Sequence, residues 1–305
     1  MEENGLCNID IDLTELFKLD ATGQLKNEDF TRIWTDVVGL PMLRFEYIVR
    51  ASEHTKNGYD VDQAVFYGLL IHISKELTYL RRITCKRVID INTAFFHVRA
   101  ILESCTRVQY FLNHPERIDD YRKNSIKPEL KLKNLILENR KSRDGDFYKG
   151  EYEYEEGLLK SIQNSLIRAG NTEGKLARET NVYDMMKDLD LGSMYSSYAT
   201  ASHFIHPDWI STSIYSLKEQ DGKFYPDYDD YEVDIRLLNP LLLICYDTIE
   251  KFITKYNGHK IEPQIIEELQ SDKNLIIAFD RMHHNFLQKL PLNTDIDKFI
   301  QTDVV

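Results

Sequence analysis

The segment Arg87–Asn113 constrains the fold more than any other part of the chain. Val88, Ile91, Phe95, Val98, Leu102 and Cys105 recur at alternating steps of three and four, the spacing of one helix face. Ala94, Ile101, Val108 and Leu112 widen that stripe, and Phe96 and Tyr110 cover much of the remaining side. A helix apolar this far round has to be packed by neighbours on several faces. The rest of the chain must therefore supply a shell of further helices.

The flanking sequence has the signals for such a shell. Phe30–Val38 is helical in spacing, Gly39-Leu40-Pro41 breaks it, and Pro41 suits the first turn of a helix running to about His54. Asp60 is the N-cap candidate for Val61 to about Ile83. Pro128 divides the next region into Glu116–Ser125 and Glu129–Arg140, and Tyr152–Ala169, Val182–Leu189 and Tyr195–His206 follow. In Asp234–Tyr256, Pro240 either kinks the helix or marks its true first turn. Ile261–Leu269 and Lys273–Leu290 read as two amphipathic pieces. The predicted fold is all-α: a multi-helix bundle around the central apolar helix, with a small β-hairpin insertion near 210–234. The expected organisation is an N-terminal arm (1–26), one helical domain (27–290) and a C-terminal tail (291–305).

A formal net charge of −12 argues against whole-surface affinity for nucleic acid or anionic lipid, both of which are polyanions. A local basic stretch is still available to RNA: Lys123, Lys127, Lys131, Lys133, Arg140, Lys141 and Arg143. A solvated helix face is the commoner reason for such a run. Cys7, Cys85, Cys105 and Cys245 form no C-x-x-C pair, and Cys105 and Cys245 sit among apolar residues as small buried hydrophobes. A reducing, cytoplasmic setting fits these cysteines. The acidic N-terminus does not read as a signal peptide, and no apolar run is long enough to predict a transmembrane helix or a membrane partner.

Chemistry is expected at two places. Arg99, Glu103 and Arg107 stand at i, i+4 and i+8 on the central helix, so Glu103 can pair with either arginine. Such a ladder in so apolar a helix is either an anion-binding or acid–base site, or a buried ion pair that fixes helix register. Tyr198, Ser202 and His206 have the same spacing on the helix closed by Pro207. An imidazole at that end can serve as general acid or base, or simply hydrogen-bond a carbonyl. Arg99, Glu103 and His206 are the candidate catalytic residues, and Tyr198 and Ser202 the candidate ligand-binding ones. His203 and His206 make an H-x-x-H, but a catalytic zinc site needs a third ligand and none is near in sequence. No metal and no cofactor are expected. Nucleophile elbows, Walker loops and dinucleotide fingerprints are missing. His283-His284 reads as a helix-surface pair.

At R-x-x-x-E (Arg99, Glu103) and Y-x-x-x-S-x-x-x-H-P (Tyr198, Ser202, His206, Pro207), the chain resembles a bacterial helical family known as a domain of unknown function. The resemblance extends over about Val61–Tyr256. It implies an all-helical fold and supplies no activity. A second, weaker similarity is to the HEPN class of helical ribonucleases, often toxins or phage-defence effectors, which carry R-x(4–6)-H. Arg107 and His114 match that spacing and are the alternative catalytic pair, although Val108 follows the arginine where that class usually has a polar residue. Two function classes follow: a metal-independent RNA-cleaving or hydrolytic effector, or a non-enzymatic binding or regulatory module whose polar layer is structural. Homo-oligomerisation is compatible with both.

Overall fold

In the computed structural model, residues 11–84, 91–142, 149–205, 213, 216–227, 235, 238–257 and 263–289 are described. Their contacts fall into two compact units, Met1–Gln109 with Met186–Val305, and Tyr110–Met185.

The larger unit begins with α1 (Thr14–Ala21), which buries Leu16 completely although the sequence marks no helix there. α2 (Asn27–Val37) runs into α3 (Gly39–Ala51), with Pro41 in the first turn of α3 as its fixed φ favours. α3 stops before His54, because Ser52 is extended and its hydroxyl caps the short α4 (Glu53–Asn57) by accepting from the His54 amide. Asp60 caps α5 (Val61–Thr84) reciprocally. Its Oδ1 accepts from the Gln63 amide at 2.8 Å, and the Gln63 side chain accepts from the Asp60 amide at 3.0 Å.

The central helix is α6 (Ile91–Asn113). Its apolar stripe is buried at Phe95, Val98, Leu102 and Cys105. It continues from the larger unit into the smaller one, Tyr110–Met185. There, α7 (Ile118–Asn124) precedes α8 (Lys127–Ser142) and α9 (Lys149–Arg168), and α8 and α9 share a core of Ile126, Ile136, Ile162 and Leu166. α10 (Val182–Asp188) leads to α11 (Gly192–Ile205) in the larger unit. The hairpin is real and short: β1 (Leu217–Gln220) pairs antiparallel with β2 (Lys223–Pro226). Asp221 and Gly222 between them both have positive φ, which a two-residue turn matching the strand twist requires.

α12 (Asn239–Phe252) starts at Pro240's own turn, so that proline begins the helix and does not kink it. A π-helical segment, Ile253–Asn257, extends it. The two amphipathic pieces expected at the C-terminal end are one helix, α13 (Pro263–Lys289). Gln270-Ser271-Asp272 lacks a proline or glycine to break it, and Leu269, Asp272, Ile276, Phe279 and His283 form one buried stripe across the join. His283 is thereby corrected from surface to core. It is 1 % exposed, lies 4.4 Å from the Phe30 ring, and its Nε2 is 2.8 Å from Asn27 Oδ1. His284 is exposed.

Burial raises the phenols of Tyr67, Tyr246 and Tyr256, the last to about 12. A phenol raised in the folded state favours folding below the unfolded pKa of about 10, and loses that contribution as pH rises through its folded value. The helical circular dichroism signal should therefore collapse between about pH 10 and 12, together with a burst of tyrosinate absorbance. Gradual tyrosine ionisation with helix content intact through that window would contradict the burial of these rings.

Candidate functional site

The polar side chains of α6 sort by helix geometry. Phe96, Arg99, Glu103 and Arg107 fall within an arc of about 80° on a helix of 3.6 residues per turn. Arg99, Glu103 and Arg107 are each half-buried, while Phe96 is exposed. Glu103 pairs with Arg107 at 2.5 Å, the favourable order of an i,i+4 pair. On the flank of α6 that meets α11, the Arg99 guanidinium lies 5.4 Å from the centre of the Tyr198 ring. That contact joins the two sequence motifs between α6 and α11.

Ser202 is half-buried one turn beyond Tyr198, and its hydroxyl donates to the Tyr198 carbonyl at 2.8 Å. This back-bond satisfies the hydroxyl within its own helix. His206, with Pro207, lies outside the described residues. His203 is exposed on α11. Of the HEPN-type pair, Arg107 belongs to the larger unit and His114 to the smaller. The His114 ring centre lies 4.5 Å from that of Tyr110, and its Nδ1 is 3.6 Å from Glu116.

The other flank of α6 holds a group the sequence reading missed. His97 Nδ1 is 2.6 Å from Glu76 Oε2 on α5, and both side chains are largely buried. The second Glu76 oxygen lies 3.6 Å from His72 Nδ1. Tyr79 stacks on the His97 ring at 5.7 Å, and Arg82 lies over Tyr79 at 5.8 Å. Phe96 meets His97 edge-on at 5.5 Å. The tautomer that donates from Nδ1 to the Glu76 carboxylate leaves Nε2 as the acceptor. The signal in the sequence was Glu76 itself, a carboxylate at a core position of α5 between Ile73 and Leu77.

Deeper on α6, Gln109 is buried and joins α12. Its amide donates to Thr248 Oγ1 at 2.8 Å, and Lys251 donates to its carbonyl oxygen at 2.6 Å. Cys105 and Cys245 face each other at 4.0 Å as buried free thiols, and burial pushes the Cys245 thiol well up. No group of three or more His, Cys, Asp or Glu among the described residues is placed to hold a metal ion. No helix among them is long and apolar enough to cross a membrane.

The basic stretch of α7 and α8 is partly neutralised. Lys123 pairs with Asp119, Lys127 with Glu179, and Arg140 with Glu155 and Glu156. Lys131, Lys133 and Lys141 are described outside those pairs, and Arg143 lies outside the described residues.

The fold and this face define an all-helical protein built round one apolar helix that carries polar groups on both flanks. The chain belongs to a family of unknown function (DUF5677), whose model matches residues 65–224 and so takes in both motifs. No curated protein and no solved structure matches it. The likeness to HEPN ribonucleases is shown by none of these comparisons.

Proposed function

We propose that the protein is a cytoplasmic RNA-cleaving effector of the bacterial defence or toxin kind, working through an imidazole base without a metal. The observation that carries this reading is the Glu76–His97 pair at 2.6 Å, beside Tyr79 and Arg82. His97 Nε2 takes the proton of a ribose 2′-hydroxyl as that oxygen attacks the neighbouring phosphorus. The bond to the 5′-oxygen breaks, and water protonates the leaving oxygen. The products are a 2′,3′-cyclic phosphate and a 5′-hydroxyl. Glu76 holds the ring in the required tautomer and stabilises the imidazolium, and Arg82 offers a cation to the phosphate.

The test is incubation of the purified protein with unstructured RNA in excess chelator. Cyclic-phosphate ends should accumulate. Intact RNA, or cleavage that stops on chelation, would end this reading.

One observation favours a second reading, a non-enzymatic binding or regulatory module. Arg99 is engaged with Tyr198, Glu103 with Arg107, and Ser202 with its own helix, as in a structural layer. Under the first reading the same layer positions α6. Under the second it is all the polar face does, and the protein leaves RNA intact.

A further inference from the structure

The exposed residues of α5 beside His97 form a pattern of their own. His72, Lys75, Tyr79 and Arg82 stand at i, i+3, i+7 and i+10, so they share one helix face, and all are exposed. Tyr79 is 46 % exposed, and Phe96 of α6, on the other side of His97, is 54 % exposed. Large aromatic rings held this open contribute little to the core. Lys75 and Arg82 are not paired with any carboxylate among the described residues. Many other cations of the larger unit do have such partners: Arg44, Arg50, Arg81, Arg107, Lys273 and Lys289.

Two half-exposed aromatic rings with two cations that no carboxylate among the described residues pairs make a local exception in a chain of net charge −12. Aromatic faces accept any unstacked base, while cations follow the phosphates. That combination recognises single strands and leaves duplexes, whose bases are already stacked, without a partner for the rings.

We propose that this face of α5 and α6 binds single-stranded RNA, with bases stacked on Tyr79 and Phe96 and backbone phosphates on Lys75 and Arg82. It deepens the reading of the protein as an RNA-cleaving effector and rests on it for the choice of RNA. The strand is thereby laid beside the imidazole of His97, and the substrate class is unpaired RNA.

The experiment is fluorescence anisotropy with a labelled 2′-O-methyl oligoadenylate, whose blocked 2′-oxygen prevents cleavage during the titration. A 2′-O-methyl duplex serves as comparison. The wild-type protein should bind the single strand and bind the duplex at least about tenfold more weakly. Tyr79→Ala and Phe96→Ala should each weaken single-strand binding about tenfold or more, in proteins whose melting is unchanged because both rings are exposed. Lys75→Gln and Arg82→Gln should each lower the slope of log affinity against log salt by about 0.7. Absence of binding, equal binding of the duplex, or wild-type affinity in the two alanine variants would overturn the proposal. His97→Gln separates it from the reading it rests on. A chain that binds the strand through Tyr79 and Phe96 but never cleaves RNA keeps this surface and loses the ribonuclease. A chain that cleaves RNA with both alanine variants binding normally loses this surface and keeps the ribonuclease.

Discussion

Arg44→Ala should lower the unfolding free energy by about 3–5 kcal/mol, the usual cost of leaving a buried charge without its partner. Arg44 of α3 reaches α13, where its Nε donates to Asp272 at 2.7 Å and a terminal nitrogen to Glu268 at 2.5 Å. The Tyr246 hydroxyl donates to the same Asp272 oxygen at 3.0 Å. The Arg44 and Asp272 side chains are 13 % and 11 % exposed, so solvent cannot replace the lost guanidinium. Burial disfavours the charged guanidinium, but the bond to Asp272 and the nearby carboxylates offset that, and its pKa stays above the ordinary value. Arg44→Lys keeps the charge but loses the fork that serves two carboxylates at once, so it should recover only part of the stability. Urea denaturation of the three proteins measures this. A loss below about 1 kcal/mol for Arg44→Ala would put the cluster in the class of solvated surface pairs.

The largest effect on activity is expected at His97. His97→Gln should reduce RNA cleavage by about 10²–10⁴-fold, the usual contribution of a positioned base. Glutamine can still donate to Glu76, so melting should stay near wild type, but it cannot take up a proton near neutral pH. Glu76→Gln should also slow cleavage, because the ring loses its fixed tautomer. Glu103→Gln provides the contrast, since Glu103 lies on the Arg107 side of α6 and takes no part in the proton transfer. Wild-type cleavage by His97→Gln would remove the assignment. Loss of cleavage in Glu103→Gln alone would return the chemistry to Arg99, Glu103 and the α11 motif.

What could be read from the sequence was whatever repeats along one helix. The stripe Phe95, Val98, Leu102 and Cys105 located the core of α6, and the i,i+4 rows narrowed Glu103 to Arg99 or Arg107, of which it takes Arg107. Arg99 and Tyr198, which meet between α6 and α11, each belong to a distinctive polar row on their own helix. Pairings between distant helices were hidden. Glu76 and His97 come together through the packing of α5 on α6, which no single-helix period encodes. His283 was misplaced and α13 was divided for one shared reason: a polar residue within an apolar stripe looks like an interruption. At Glu76, Asp272 and His283 that residue marks a buried position whose partner lies elsewhere. The Arg107-x6-His114 spacing is of another kind, since a spacing along one chain carries no information about which partners each residue has.

The contacts of α2 and α3 with the last two helices bear on how the protein is made. Trp34 donates to Asn239, Arg44 to Asp272, and the Phe30 ring lies 5.8 Å from that of Phe279. Arg44 and Asp272 are 228 residues apart. At roughly 5–20 residues per second, Arg44 leaves the ribosome about 10–50 s before its carboxylate partner exists. During that interval Phe30, Trp34 and Arg44 lack these partners, while α5 is already there for α2 and α3 to pack on. Truncation anywhere before α13 should yield insoluble protein and not a shorter folded one.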